Sequence, residues 1–433
     1  MTLTPSQRQA VERTGQDVCI VAGPGSGKTR VLVERFVWLV RRQGVSPLRI
    51  LAITFTEKAA AEIKTRLAIE FSGDPELRPQ VERAYVSTVH GFCSRLLREH
   101  SLAARLDPDF GVMEEWQSSL ELEQAALDAL DQFSLERRDK LGRLLDSVYV
   151  PARRNSRQPD LAAALGQLHE AVRTAGFGFA RLREAAREGA GGPILDELAK
   201  ELKALLDSAP SKLTPKQAER IGQWREWADT VSRAADAPPS IAQLELLYDN
   251  PRTLPGNILP SLKDWRDGRI PEAASALIGS MNAPLKEFLS DALEKVALLY
   301  LERKRKLSML DYADLEEETI ALLAGDSTVR GEAQSRFDQI LMDELQDTNP
   351  LQWTLVDLLR TPSRFFAVGD INQSIYGFRH AEPGVFRRYR DGVLASGGAV
   401  DVLDENFRTR SEILSVINWL TAGLGGVEFR PLN

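Results

Sequence analysis

The stretch CIVAGPGSGKTRVL, residues 19–32, decides how this chain reads. Residues 17–22, DVCIVA, form an apolar run of strand length, and residues 29–42, TRVLVERFVWLVRR, repeat apolar side chains at helical spacing. The glycines between them therefore predict a strand-to-helix turn. Gly23, Gly25 and Gly27 suit neither element but suit a loop whose backbone closes around a phosphate. In such a turn the N–H groups of Gly25, Ser26 and Gly27 point inward, and the helix N-terminus adds its partial positive charge. Lys28 then reaches the β- and γ-phosphates, and Thr29 offers a hydroxyl to Mg²⁺. The pattern departs from G-x-x-x-x-G-K-[ST] only at its first position, where Ala22 precedes Gly23 and Pro24. The class expected is α/β with a parallel sheet.

A phosphate loop needs a second group to organise the metal and the attacking water. In FDQILMDELQDTNPLQW, residues 337–353, the apolar ILM leads into Asp343 and Glu344, so both acids leave the carboxyl end of a predicted strand, where ligands of open α/β sheets sit. One carboxylate can hold Mg²⁺ while its neighbour orients and deprotonates water. Residues 364–370, RFFAVGD, form another such strand and place Gln373 just beyond it.

Composition sets the frame. The 433 residues are 43% hydrophobic and 27% charged, with a net charge of −7, which argues against coating nucleic acid by bulk electrostatics. Basic residues nevertheless outnumber acidic ones over residues 1–106, compatible with a local anion-binding face or with chance surface charge. The two cysteines, Cys19 and Cys93, sit in apolar runs and read as core. The polar start MTLTPSQRQA and the lack of a long apolar run predict no membrane segment and a cytoplasmic chain. Between 107 and 300 helical-period segments are divided by Pro/Gly-rich joints, predicting an all-helical insertion. The basic runs ARRNSR (152–157) and ERKRK (302–306) are either duplex contacts or solvated faces.

The segments AGPGSGKTR, AITFTEKAAAEIKTR, VSTVHGFCSRLLREH, DELQDTNP, VGDINQSIYGFRHA and LDENFRTRSEIL resemble, in order and wording, the motifs of superfamily 1 DNA helicases of the UvrD/Rep type. Within it, STVHGFC and INQSIYGFRHAEPGVF are similar to AddA and RecB, the helicase-nuclease subunits. The resemblance implies an ATP- and Mg²⁺-dependent DNA helicase or translocase moving 3′ to 5′ in recombinational repair, acting on single strands and single-strand/duplex junctions beside a nuclease partner subunit. It implies a RecA-like motor domain in two parts, 1–106 and 301–400, interrupted by a helical insertion over 107–300, with 401–433 opening a truncated second motor domain. It further implies that Lys28, Glu344, Gln373 and Arg408 serve hydrolysis, that Phe407 stacks on adenine, and that Arg30 lies beside it. Thr54, Phe55, Thr88, His90, Tyr376, Phe378 and Arg379 would contact DNA, the aromatics by stacking.

LTPSQRQA at 3–10 resembles the adenine-recognising Q motif, yet LTPKQAER recurs at 213–220, and both fit a capping box. Gln7, just upstream of the phosphate loop, is expected to meet adenine as well as cap its helix, whereas Gln217, in a region with no nucleotide signal, is expected only to cap. A chain lacking the later arginine finger is expected to bind nucleotide without unwinding DNA. The alternative to a motor is a module that binds nucleotide and single strands without turnover; a nucleotide kinase would leave the aromatic motif unexplained.

Overall fold

A computed structural model describes residues 3–147, 160–176, 178–188, 194–254, 259–375, 377, 381–422, 428 and 431. These fall into two compact units. The first comprises 1–121, 170–176 and 301–433; the second comprises 122–169 and 177–300.

The first unit is built on six parallel strands: β1 (Val18–Ala22), β2 (Ile50–Thr54), β3 (Tyr85–Thr88), β6 (Gln339–Met342), β7 (Phe365–Gly369) and β8 (Ala399–Leu403), in the order β3-β2-β6-β7-β1-β8. Because successive strand residues face opposite sides, the near-continuous apolar runs serve two cores at once. Cys19, Val21, Leu51, Ile53, Ile340, Phe365 and Ala367 fill one, and Val18, Ile20, Ile50, Ala52, Leu341, Phe366 and Val368 the other. The expected α/β class is the one observed.

Two boundaries differ from expectation. Strand β8 pairs with β1 from Val18↔Ala399 to Ala22↔Leu403, so the sheet runs past residue 400 before the chain can leave it. At the other junction β4 (Gly111–Val112) pairs in parallel with β5 (Met309–Leu310), keeping residues 107–121 with the sheet unit. Apolar periodicity cannot show which of two cores a segment faces, so neither boundary was readable.

Described residues of the second unit are helical. Its core gathers Leu198, Leu202, Trp224, Trp227, Val231 and Leu262, with the two indole N–H groups donating to Thr253 O and Leu246 O at 3.0 Å each. Buried tryptophans need such partners. Of the two basic runs, 152–157 lies outside the described residues. Within 302–306, Lys304 is no surface charge: it is 3% exposed and bonds Asp311 and Asp314 at 2.9 and 2.6 Å.

Candidate nucleotide-binding site

The phosphate loop takes the predicted shape. After β1, Gly23 N–H donates to Leu403 O at 3.0 Å, while the Ser26 hydroxyl and N–H both donate to Gly23 O, at 2.7 and 3.2 Å. Gly25 and Gly27 have φ of 75° and 84°, left-handed values that a side chain would strain. Gly27 caps the helix Lys28–Gln43 with no side-chain bond, leaving that helix's first N–H groups facing outward for an anion. Ala22, in the expected glycine position, is the last residue of β1, fully buried and paired with Leu403; a small side chain fits where the chain is still strand.

Gln7 anchors this loop. Its Oε1 accepts from Thr4 N–H at 3.2 Å in the capping box, and its Nε2 donates to Ser26 O at 2.9 Å. It is 2% exposed, and its amide ties the loop to the first helix. Gln217 closes the same box at 2.9 Å from an exposed helix start, without any loop to hold.

Lys28, Thr29, Asp343, Glu344 and Gln373 converge across the carboxyl ends of β6, β7 and β1. Lys28 Nζ donates to Gln373 Oε1 at 2.9 Å and pairs with Glu344 Oε2 at 2.9 Å. The Thr29 hydroxyl donates to Asp343 Oδ2 at 3.2 Å. Asp343 is 3% exposed; burial and the adjacent Glu344 carboxylate push it up to about 7, against the pull of Lys28 and Thr29. Burial and Glu344 likewise push Asp347 up to about 6.

A buried carboxylate held this high lacks positive charge. Asp343 and the Thr29 hydroxyl are hard oxygen donors that suit Mg²⁺, which binds through one or two carboxylates and completes its shell with water and phosphate. Among the described residues no group of three or more His, Cys, Asp or Glu is placed to enclose a metal by itself, so phosphate would have to share the ion.

The segment after β8 lies against the loop. Asn406 Nδ2 donates to Pro24 O at 2.6 Å, Phe407 N–H donates to Gly25 O at 3.0 Å, and Asn406 Oδ1 accepts the N–H groups of Arg408 and Thr409, both at 2.8 Å. A Cβ on Gly25 would meet the Asn406 amide at 2.7–2.9 Å. Phe407, 59% exposed, and Arg408, also exposed, are thereby presented beside the loop. Arg30 is half-buried in the first helical turn.

Of the residues expected to meet DNA, Thr54 and Thr88 end the paired strands β2 and β3 and are 2% and 5% exposed. The Thr54 hydroxyl is buried without a hydrogen-bond partner, whereas Thr88 caps the next helix and donates to Glu57 at 2.7 Å. Phe55 is half-buried beyond β2. His90, 33% exposed, bonds Glu316 at 2.9 Å and packs its ring against Tyr312, centroids 4.8 Å apart and tilted by 43°. Tyr376, Phe378 and Arg379 lie outside the described residues.

Three site residues escaped the sequence reading: Gln346, Asp370 and Asn406. Asp370 could have been found, because it leaves the apolar strand FFAVG just as Asp343 leaves ILM. Gln346 and Asn406 carried no signal beyond lying in quoted motifs; their partners are set by loops meeting across the sheet.

The UvrD/REP helicase N-terminal domain family matches residues 3–392. Among curated relatives, an ATP-dependent helicase/nuclease subunit of Syntrophomonas wolfei is 28% identical over 468 residues, covering 96% of this chain and 38% of that protein. Its namesakes from Limosilactobacillus fermentum and Staphylococcus aureus are 28% and 27% identical, again over 96% of this chain and 37% and 39% of theirs. The chain thus spans under two-fifths of the relatives it resembles. A match over nearly all its length, carried by a phosphate loop and acid pair that meet across one parallel sheet, makes the chain a member of the UvrD/REP helicase N-terminal domain family.

Proposed function

We propose that this chain is the ATP-hydrolysing part of a DNA helicase or translocase acting in break repair. The observation that carries the reading is the meeting of Lys28 and Thr29 with Asp343, Glu344 and Gln373 at the carboxyl ends of three neighbouring strands. Gly25, Ser26, Gly27 and Lys28 would hold the phosphates of ATP, and Thr29 with Asp343 would hold Mg²⁺. Bound there, the ion supplies charge neutralisation for the transferred phosphoryl group. Glu344 takes the proton of the attacking water, and Gln373, bonded to Lys28 while no phosphate claims that ammonium, is placed to register the γ-phosphate. Phe407 offers a stacking face to the base, and Arg408 a cation to the phosphates.

The names of the relatives support a DNA substrate, and ATP-driven action with a nuclease activity. Single-stranded DNA would run over the ends of β2 and β3, with Thr54, Phe55, Thr88, His90, Tyr376, Phe378 and Arg379 in contact, and the motor would travel 3′ to 5′ with a nuclease partner subunit. Among the described residues no helix is long and apolar enough to cross a membrane.

Steady-state ATP hydrolysis with and without single-stranded DNA tests this reading. Coupled sites should show faster hydrolysis when single-stranded DNA is present. Nucleotide binding without turnover, with or without DNA, would refute the motor and make the chain a binding module.

A further inference from the structure

Five residues around the phosphate loop close a ring, through their side chains except at one link, which uses the Asp370 backbone N–H. Lys28 Nζ meets Glu344 Oε2 at 2.9 Å; the same Oε2 accepts from Gln346 Nε2 at 2.8 Å; Gln346 Oε1 accepts Asp370 N–H at 2.9 Å; Asp370 Oδ2 accepts from Gln373 Nε2 at 2.5 Å; and Gln373 Oε1 accepts from Lys28 at 2.9 Å. Four of the five have roles in binding, in catalysis or as strand-end polar groups. Gln346 has none, though it is 1% exposed and stands where the ring passes from β6 to β7.

Its surroundings are specific to an amide. Nε2 faces two carboxylates, Glu344 and, at 3.1 Å, Asp347, while Oε1 faces a backbone N–H. Glutamate would set three carboxylates together, and an apolar residue would leave a buried N–H unbonded. Space is reserved as well: a Cβ on Gly369 would lie 2.7 Å from Gln346 Oε1, so the end of β7 must be glycine for the amide to seat. Glu344 itself has φ of 52°, a left-handed backbone that needs its surroundings to hold it.

We infer that Gln346 is a positioning residue: it aims the Glu344 carboxylate and ties that aim to the β7 end that carries Asp370 and Gln373. This rests on the proposed ATPase reading. A γ-phosphate that draws Lys28 away breaks two sides of the ring, leaving Glu344 held by Gln346 alone and Gln373 by Asp370. The base then stays oriented toward water while the sensor segment is released, and Gln346 is the one bond between them.

The test compares wild type with Gln346→Met and Gln346→Glu in the full-length gene product, measuring kcat and KM for ATP at saturating single-stranded DNA, affinity for ADP, and thermal unfolding. Misdirecting a base lowers kcat by about tenfold to a hundredfold; both variants should show that loss with KM and ADP affinity near wild type, while Tm falls by no more than the unbonded N–H or the added carboxylate accounts for. If wild type hydrolyses ATP and the Met variant keeps kcat within about twofold of it, the inference falls alone. If ADP affinity falls in step with kcat, Gln346 is a packing residue and the inference also falls. An inert wild type would overturn the ATPase reading and the inference with it.

Discussion

Replacing Glu344 by glutamine separates two jobs that share one oxygen. Glu344 Oε2 receives both Lys28, at 2.9 Å, and the Gln346 amide, at 2.8 Å. The substitution keeps the side chain's size and removes its charge and basicity. A positioned general base contributes about 10²–10⁴ in rate, so kcat should fall by that factor, equivalent to about 3–5 kcal/mol at 1.36 kcal/mol per tenfold. Nucleotide affinity should move the other way. Phosphate must take Lys28 from Glu344, and the pair's side chains are 10% and 32% exposed, where ion pairs contribute up to about 1 kcal/mol. Removing that competitor should tighten binding by up to about fivefold. Phosphate release at saturating single-stranded DNA gives kcat, and titration with a non-hydrolysable ATP analogue gives the affinity. A variant turning over within about tenfold of wild type would refute the base assignment; a loss of affinity beyond about tenfold would show that Glu344 holds the loop together instead.

Lys28→Ala should weaken binding of the same analogue by about 10- to 100-fold, the loss of one charged hydrogen bond of about 1.5–3 kcal/mol, as read by calorimetric titration. Phe55→Ala should weaken single-strand binding by about 1–3 kcal/mol while leaving nucleotide affinity intact; equal loss of both would make Phe55 core. Arg173→Met removes a guanidinium that bonds Asp311 at 3.0 Å and Asp314 and Glu317 at 2.8 Å, while Lys304 keeps the two aspartates paired, and should lower unfolding stability at pH 7 by about 1.5–3 kcal/mol in denaturant titration. Burial opposes ionisation of Asp311, but Arg173 and Lys304 hold it well below the usual carboxylate range. That stabilisation is present above pH about 4 and lost as pH falls further, so the gap between variant and wild type should narrow in acid.

What the sequence disclosed followed from local rules. Strand length, helical period and glycine position located the phosphate loop, and an acid following an apolar run located Asp343 and Glu344. Capping chemistry found the first turn at Thr4, yet the second use of Gln7, its bond to Ser26 O, depends on where that helix lies against the loop. Asn406 shows the same limit more sharply: 382 residues separate it from Pro24, and only the pairing of β8 with β1 brings its amide onto the loop. Strand order in a parallel sheet is not sequential, so contacts between strand ends are invisible until the order is known.

That order also explains how two functions fit on one edge. Lys28, Thr29, Asp343, Glu344 and Gln373 follow β1, β6 and β7, and four of the residues proposed to meet DNA, Thr54, Phe55, Thr88 and His90, lie at or beyond the ends of β2 and β3, which extend the same sheet from β6. Where the two sets adjoin, β2 pairs with β6, and just past that pairing Asp343 N–H donates to Ile53 O at 3.0 Å, one residue before Thr54. A side-chain path runs in parallel: His90 bonds Glu316, and Glu316 accepts from Gln352 at 2.7 Å in the helix that follows the acid pair. In the proposed reading, acids on a strand next to β2 put phosphate chemistry and strand gripping on neighbouring strands of one sheet.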